Sequence, residues 1–470
     1  MPDEFGIGFT ILSLTVIFGV VLSAPAYALL TLNTGLSASE MYTDNLFFTD
    51  GNEEEEFGTF ISPRLTLTYQ NPDIIISGTY IGTAQFFVNN PNANRYAQFS
   101  NFNISLPFLT KRIENLEVQL IESFNFSPQL QAFSFAGEPG EETALTSLQQ
   151  GLGISGLSRG GGVGISGLGG GLGGLGGGIG GIGGAGGIGG VGGGIGGVGG
   201  FGGGIGGPSL SNQGVFTRRS DAFQNLSGVN LRYLWSARFS TTLGYRNRLT
   251  LFTSDAFQDT MVHTVNVGTA YALAPTTDVR MTYGVSISDF IGGQAQNTGI
   301  QGGGSFTTHS GTIGLSHRFS PTLASSAQVG MAVTNSRMNF IANASLAKQF
   351  QRTTLSVGYR QNVTSGGGLA ASATLTQSFV GTLNHMLTNR LAAFAQGGVS
   401  RSESLSGSVI DVMAYQARTG VSYLILSWLS GSASYSYIFQ DSSGTAGNDA
   451  QVNQVFVTLT AFAPPWRILE

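Results

Sequence analysis

Eight arginines share one phase of a repeated alternation: Arg64, Arg232, Arg246, Arg248, Arg280, Arg318, Arg360 and Arg418. A guanidinium does not lose its proton in a protein, so each is a fixed positive charge. Rings of one sign along a channel favour the opposite ion, so the chemistry expected is electrostatic selection of anions. Acids on the same phase are scarce. Glu117 is the clear one, while Glu40, Glu122 and Asp411 fall out of phase. The acids collect instead at Asp50 and Glu53–Glu56, between alternating segments. Such an acidic mouth could offset the basic face or bind divalent cations; alternatively, loop carboxylates pair with the arginines and brace the wall.

Bond-making chemistry finds no comparable pattern. The chain has no Cys, which excludes thiolate nucleophiles, thiolate metal sites and disulfides. Its four histidines (His263, His309, His317 and His385) lack metal-pair spacing. His309 and His317 neighbour Ser310 and Ser316, but serine is abundant and no orienting group is evident. Gly156-Leu157-Ser158-Arg159-Gly160 fits a nucleophile pattern and several G-x-G-x-x-G matches occur, yet a glycine repeat lacks the strand–turn–helix context both need. No catalytic, cofactor-binding or metal-binding residue is assigned, no cofactor is expected, and the chain is read as not an enzyme. No Lys/Arg-rich stripe points to nucleic acid.

The elements that must position the arginines are strands. In residues 61–70, Ile61, Pro63, Leu65, Leu67 and Tyr69 alternate with Ser62, Arg64, Thr66, Thr68 and Gln70. Val279, Met281, Tyr283, Val285 and Ile287 repeat the pattern, as do Ala433, Tyr435, Tyr437 and Phe439. Successive strand side chains point to opposite faces, so every segment has one apolar and one polar face. Ten or so residues is the length of a tilted strand crossing a bilayer, and turn-separated repeats of it mark a transmembrane barrel. With only 10% charged residues, the chain is also poor in charge for a protein facing water everywhere. The fold class expected is all-β: a transmembrane antiparallel β-barrel of about 18 strands, from 30–43 and 57–70 to 430–440 and 451–462.

Connections alternate as such a barrel requires. Short turns centre on Asn71-Pro72-Asp73, Thr110–Asn115, Ser236–Arg238, Ala274–Asp278, Ser320–Thr322, Gln349–Arg352, Thr388–Arg390 and Trp428-Leu429. Longer external loops intervene, except for a very short one at Ser336-Arg337. Strands 338–349 and those within 371–400 have the weakest pattern, because alanine dilutes it. Tyr69, Phe108, Tyr233, Trp235, Tyr423 and Phe439 stand near strand ends, where aromatic girdles are expected.

Two segments stand apart. Residues 6–23 are an uncharged apolar run followed by Ala26-Tyr27-Ala28, which predicts a signal peptide over 1–28 and a mature start at Leu29. Asp3 and Glu4 depart from the positive start of such a signal, and a retained membrane helix is the alternative. The long external loop 128–221 contains a low-complexity tract, 151–207, with about half of the 72 glycines. Disorder is its default expectation; a flexible plug folded into the channel or an adhesive surface element are the other readings.

The opening segments carry a resemblance. Gly35-Leu36-Ser37-Ala38-Ser39-Glu40-Met41-Tyr42-Thr43-Asp44-Asn45, then Phe60-Ile61-Ser62-Pro63-Arg64-Leu65, resemble the start of a family of outer-membrane β-barrel porins. That family includes a branch associated with exosortase and polysaccharide-export systems. The glycine insert is not a feature of it, and the chain continues past Phe462 through Pro464-Pro465-Trp466, where outer-membrane barrels usually stop at an aromatic residue. The resemblance implies a diffusion pore or an accessory to polysaccharide export, in the outer membrane of a Gram-negative-type bacterium. The partners implied are outer-membrane lipid and small hydrophilic solutes or ions, with a homo-oligomer left open. An export conduit would need aromatic platforms on the inward face, where Phe394 and Phe456 are the candidates.

Overall fold

The computed structural model describes residues 29–51, 53–127, 222–253, 259–291, 305–365, 373–405, 411–443 and 449–469. The expected signal peptide and the glycine-rich third external loop lie outside the described residues.

The strands are long and regular. The first five are β1 (Leu29–Thr43), β2 (Glu56–Gln70), β3 (Ile75–Phe87), β4 (Arg95–Ser105) and β5 (Leu116–Ser127). Then come β6 (Ala222–Leu234), β7 (Phe239–Phe252), β8 (Asp259–Ala274), β9 (Thr277–Ile291) and β10 (Ser305–Ser320). Next are β11 (Leu323–Thr334), β12 (Arg337–Gln349), β13 (Thr353–Ser365) and β14 (Ala373–Met386). The last long strands are β15 (Leu391–Ser404), β16 (Asp411–Leu426), β17 (Leu429–Ser442) and β18 (Ala450–Phe462). Each pairs antiparallel with its neighbour in sequence, and β1 also pairs with β18, from Gly35↔Phe462 to Thr43↔Gln454. The sheet is therefore a closed barrel of eighteen strands, with no exposed edge.

Alternation decides the two faces. On β18, Val455, Val457 and Leu459 are exposed while Phe456, Thr458 and Thr460 are buried. The same split runs round the barrel, from Leu36 against Ser37 and Ser39 to Tyr435 against Ser434 and Ser436. Apolar side chains thus cover the outer wall, and small polar ones line the inner wall. Hydroxyl pairs stitch the inner face across strands: Ser37 with Thr460 at 3.0 Å, Ser39 with Thr458 at 2.9 Å, Ser62 with Thr83 at 2.9 Å. The alanine-diluted strands form because they are held on both sides. β12 pairs with β11 and β13, and Ala347 is fully buried.

Departures from expectation have local causes. Asn335 and Ser336 both have positive φ (48° and 66°), the two-residue turn whose twist matches a hairpin, so β12 begins at Arg337. β4 stops at Ser105, and Pro107 opens a short helix, α1 (Pro107–Arg112), where a plain turn was expected. Phe108 accordingly sits in α1 rather than on a strand. Tyr69 is not in a girdle either. It is 1% exposed, clustered with Leu30 and Ile76, and its hydroxyl accepts a bond from Asn71 Nδ2 at 2.9 Å. Trp235, Tyr423 and Phe439 do stand exposed on the outer wall. Beyond Phe462, a short strand β19 (Trp466–Leu469) pairs with Leu30–Leu32 of β1, extending the seam below β18.

A cation on the outer face at mid-height should be far costlier than a polar change inside. We expect Val457→Arg to destabilise the folded barrel by about 2–4 kcal/mol. Thr282→Gln, on the inner face, should stay within about 0.5 kcal/mol. Urea unfolding of both variants in lipid vesicles measures the difference, and equal values would reverse the assignment of faces.

Candidate functional site

The inner wall is chemically lopsided. On β6–β10 the even-numbered strand positions face inward, and Arg232, Arg246, Arg248, Arg280 and Arg318 all occupy that phase. Arg64 on β2, Arg360 on β13 and Arg418 on β16 share the phase but stand alone on their strands. Arg232 is buried and donates from Nη1 to Glu117 Oε2 on β5 at 3.3 Å, directly across the pair Glu117↔Arg232. Its partner is thus a strand carboxylate at the start of β5, not a loop acid. Asp278, at the start of β9, lies close enough to Arg280 and Arg318 for their charges to act on it. Both acids sit at the same end of the barrel, leaving Arg246 and Arg248 higher on the wall.

The opposite arc, β14–β18 with β1, is a carpet of hydroxyls and amides. Ser378, Ser400, Ser402, Gln416, Ser434, Ser436, Gln440 and Gln454 are all buried on it. Arg418 is the cation there: its Nη2 donates to Ser434 Oγ at 3.1 Å and its guanidinium lies 5.7 Å from the Phe394 ring centroid. A Cβ at Gly420 would collide with that ring, so the glycine is what lets Phe394 lie flat against the wall. Of the two inward aromatics expected as platforms, Phe394 is therefore paired with an arginine. Phe456 is packed away, against Met41, Leu46, Phe87 and Ala93 with Phe60 alongside.

Leu46 belongs to the first external loop, and this loop folds inward. Leu46 joins the Phe456 cluster, while Phe48 packs on Ile438, Ala450 and Val452, inward residues of β17 and β18. Polar anchors fix it. Asp44 accepts from the backbone N–H of Asn453 at 2.7 Å and from its Nδ2 at 2.6 Å. Asn45 is fully buried; its Nδ2 donates to the carbonyls of Thr49 and Gln451, and its Oδ1 accepts from the N–H of Thr49. Phe48 is held at φ 53°, a conformation rare for a bulky residue, inside this frame. The Tyr42-Thr43-Asp44-Asn45 motif thus has a physical role: it ties the first loop to the last strand.

One of the mouth acids is committed to the backbone. Glu56 is fully buried, and its carboxylate accepts the backbone N–H groups of Phe57, Val88 and Asn89 together with Asn90 Nδ2, at 2.9–3.0 Å. It clamps the second external loop to the first. Glu55 instead accepts from the Tyr42 hydroxyl at 3.2 Å. No group of three or more His, Asp or Glu side chains is placed to hold a metal ion among the described residues. The histidines likewise stand away from the serines beside them in sequence. His309 Nδ1 lies 2.8 Å from the Tyr283 hydroxyl and His317 Nδ1 2.8 Å from Thr277 Oγ1, on the outer face, whereas Ser310 and Ser316 point inward.

Removing the Glu56 carboxylate leaves three backbone donors without their acceptor, each worth about 1–3 kcal/mol when buried. In Glu56→Ala we expect the amides of Val88 and Asn89 to lose hydrogen-exchange protection, with faster proteolysis between β3 and β4. Unchanged protection would mean that the clamp is dispensable.

No protein-family model matches the chain, and no curated protein matches it in sequence. Solved structures with a similar arrangement are Pseudomonas aeruginosa OccK2 (OpdF), at 10% identity and a TM-score of 0.42 over 93% of this chain and 98% of that one, and the same protein in complex with glucuronate, with the same values. A BenF-like porin from Pseudomonas fluorescens Pf-5 is similar at 10% identity and a TM-score of 0.41, over 93% and 99% of the two chains. The architecture itself rests on the strand ladder, the apolar outer wall and the polar interior. On those grounds the chain is an eighteen-stranded transmembrane β-barrel with a polar interior.

Proposed function

We propose that the barrel passes small hydrophilic solutes by diffusion and prefers anions. The observation that carries this reading is the group of five arginines on β6, β7, β9 and β10, facing an arc of hydroxyls and amides in which Arg418 is the cation. Guanidinium groups remain charged at any working pH, so the field along that wall does not depend on protonation. Glu117 and Asp278 neutralise part of the set near one end, and Arg246 and Arg248 then dominate the middle of the wall. An anion moving along it exchanges water for guanidinium donors on one side and for Ser, Gln and Thr groups on the other. Both kinds of contact are replaceable by water, which keeps binding weak enough for release. A barrel of this strand number is wide enough for an aqueous lumen, and the first external loop, seated against β17, β18 and β1–β3, takes space from the other side of the mouth.

The double variant Arg246→Glu/Arg248→Glu replaces two positive charges by two negative ones on that wall. In planar bilayers under a salt gradient, the wild-type reversal potential should have the sign of anion preference. The double variant should shift the anion-to-cation permeability ratio roughly three- to tenfold toward cations. A cation-selective wild type, or a ratio unmoved by the substitutions, would sink the proposal.

A further inference from the structure

One pair of neighbouring strands is zipped only part of the way. β12 and β13 each have 13 residues, yet their ladder runs only from Gln349↔Thr354 to Ala342↔Gln361. Continuing that register would pair Ile341 with Asn362, Phe340 with Val363 and Met338 with Ser365, and those rungs are absent among the described residues. Residues 337–341 of β12 pair with β11 instead, and residues 362–365 of β13 pair with β14. A side chain caps the point of separation. Gln361 Nε2 donates to the Phe340 carbonyl at 2.8 Å, and its Oε1 accepts from the Tyr359 hydroxyl at 2.8 Å.

The separated end of β13 has gone inward. Phe290, Phe306 and Ala373 form one buried cluster, with Val363 and Leu405 packed against it. On a smooth wall, Phe306 on β10 and Ala373 on β14 would stand four strand spacings apart, about 19 Å. The faces are opposite as well. Phe290 and Phe306 are on the inward phase of β9 and β10, with Ser288 and Thr308, whereas Val363 and Ala373 share the outward phase of Tyr359 and Phe379. Inward side chains of one part of a wall meet outward side chains of another only where the second lies inside the first. The external ends of β13 and β14 therefore tuck into the mouth, inside β9–β12. Arg337, the first residue of β12, donates from Nη1 to the Leu405 carbonyl just past β15, which pins the overlap. Ala332, Thr334 and Ile341, inward residues near the external ends of β11 and β12, are buried too.

We propose that the external ends of β13 and β14 are a flap that narrows the mouth in this arrangement and widens it by swinging out and zipping onto β12. The hinge is the last rung, Ala342↔Gln361. Two sets of contacts compete for the same segment. Tucked in, the flap buries the apolar cluster and keeps the Arg337 bond. Swung out, it gains the missing rungs, from Ile341 with Asn362 to Met338 with Ser365, in a setting that favours backbone pairing. The tucked state also carries a cost, because Asn339 Nδ2 is buried without a hydrogen-bond partner among the described residues. An element with two discrete sets of partners is what a switch requires. The inference rests on the reading of the barrel as a diffusion channel and not on its anion preference.

Because the chain has no Cys, engineered pairs report the motion cleanly. Phe340→Cys/Val363→Cys places two thiols on a rung that exists only in the swung-out state. Val329→Cys/Ala342→Cys marks a rung of the β11–β12 ladder, present in both states. In lipid vesicles, dibromobimane, which fluoresces on bridging two close thiols, should link both pairs, the first more slowly. Adding Phe290→Ala and Phe306→Ala, which removes the cluster, should speed linking of the first pair about tenfold and leave the second unchanged. In planar bilayers, the linked Phe340→Cys/Val363→Cys barrel should stay in its larger conductance state without closures. The heat-dependent gel shift of each variant reports folding separately. No linking of the first pair in a folded barrel, a rate untouched by the two alanines, or closures that persist after linking would each overturn the flap. Linking as expected with no current from any folded barrel would instead overturn the diffusion reading and leave the movement of the flap standing.

Discussion

Everything in this molecule depends on backbone hydrogen bonds that have no water to fall back on. In a bilayer, an unpaired N–H or C=O is costly, so a sheet that crosses must close on itself. Here closure is the β1–β18 pairing of residues more than 400 positions apart, reinforced on the inner side by Ser37–Thr460 and Ser39–Thr458. Once the ring is closed, alternation leaves each residue only two environments. The apolar set faces lipid, and the small polar set faces the lumen.

That division explains why so much of the interior is serine, threonine and glutamine. A lumen carpeted with small hydroxyls keeps its width, satisfies its own donors across strands and still exchanges with water. The few large inward groups are therefore the ones that shape passage. Arginines cluster on β6–β10, Phe394 lies flat over Gly420 beneath Arg418, and Phe456 disappears under the first loop. The loop is seated by apolar contacts from Leu46 and Phe48 and by the Asp44, Asn45 and Glu56 side chains. Charge thus does two jobs in this protein. Exposed along the wall it creates a field; buried at the mouth it holds backbone in place.

The strands, the faces and the inward phase of the arginines are legible in the chain because they are local. A period of two is written into any ten consecutive residues, and each turn carries its own Pro, Asn, Asp or Ser. The expected strand bounds lie within a few residues of the observed ones along the whole barrel, and even the out-of-phase character of Glu40, Glu122 and Asp411 is visible without coordinates. The misreadings share a cause. Glu56 reads as one of five mouth acids, yet its fate depends on backbone donors more than 30 residues away. Tyr69 has the spacing of a girdle residue, but Leu30 and Ile76 cover it from neighbouring strands.

Register is what the tertiary structure alone decided. Sliding a strand by two residues would keep every face intact and change every neighbour. Only the actual ladder brings Glu122, Ser227, Asn247 and His263 into one row across four strands, places Glu117 against Arg232, and sets Phe48 on Val452. Alternation follows from the geometry of one strand, so sequence suffices for it; alignment follows from how eighteen strands close, and no single segment contains that information.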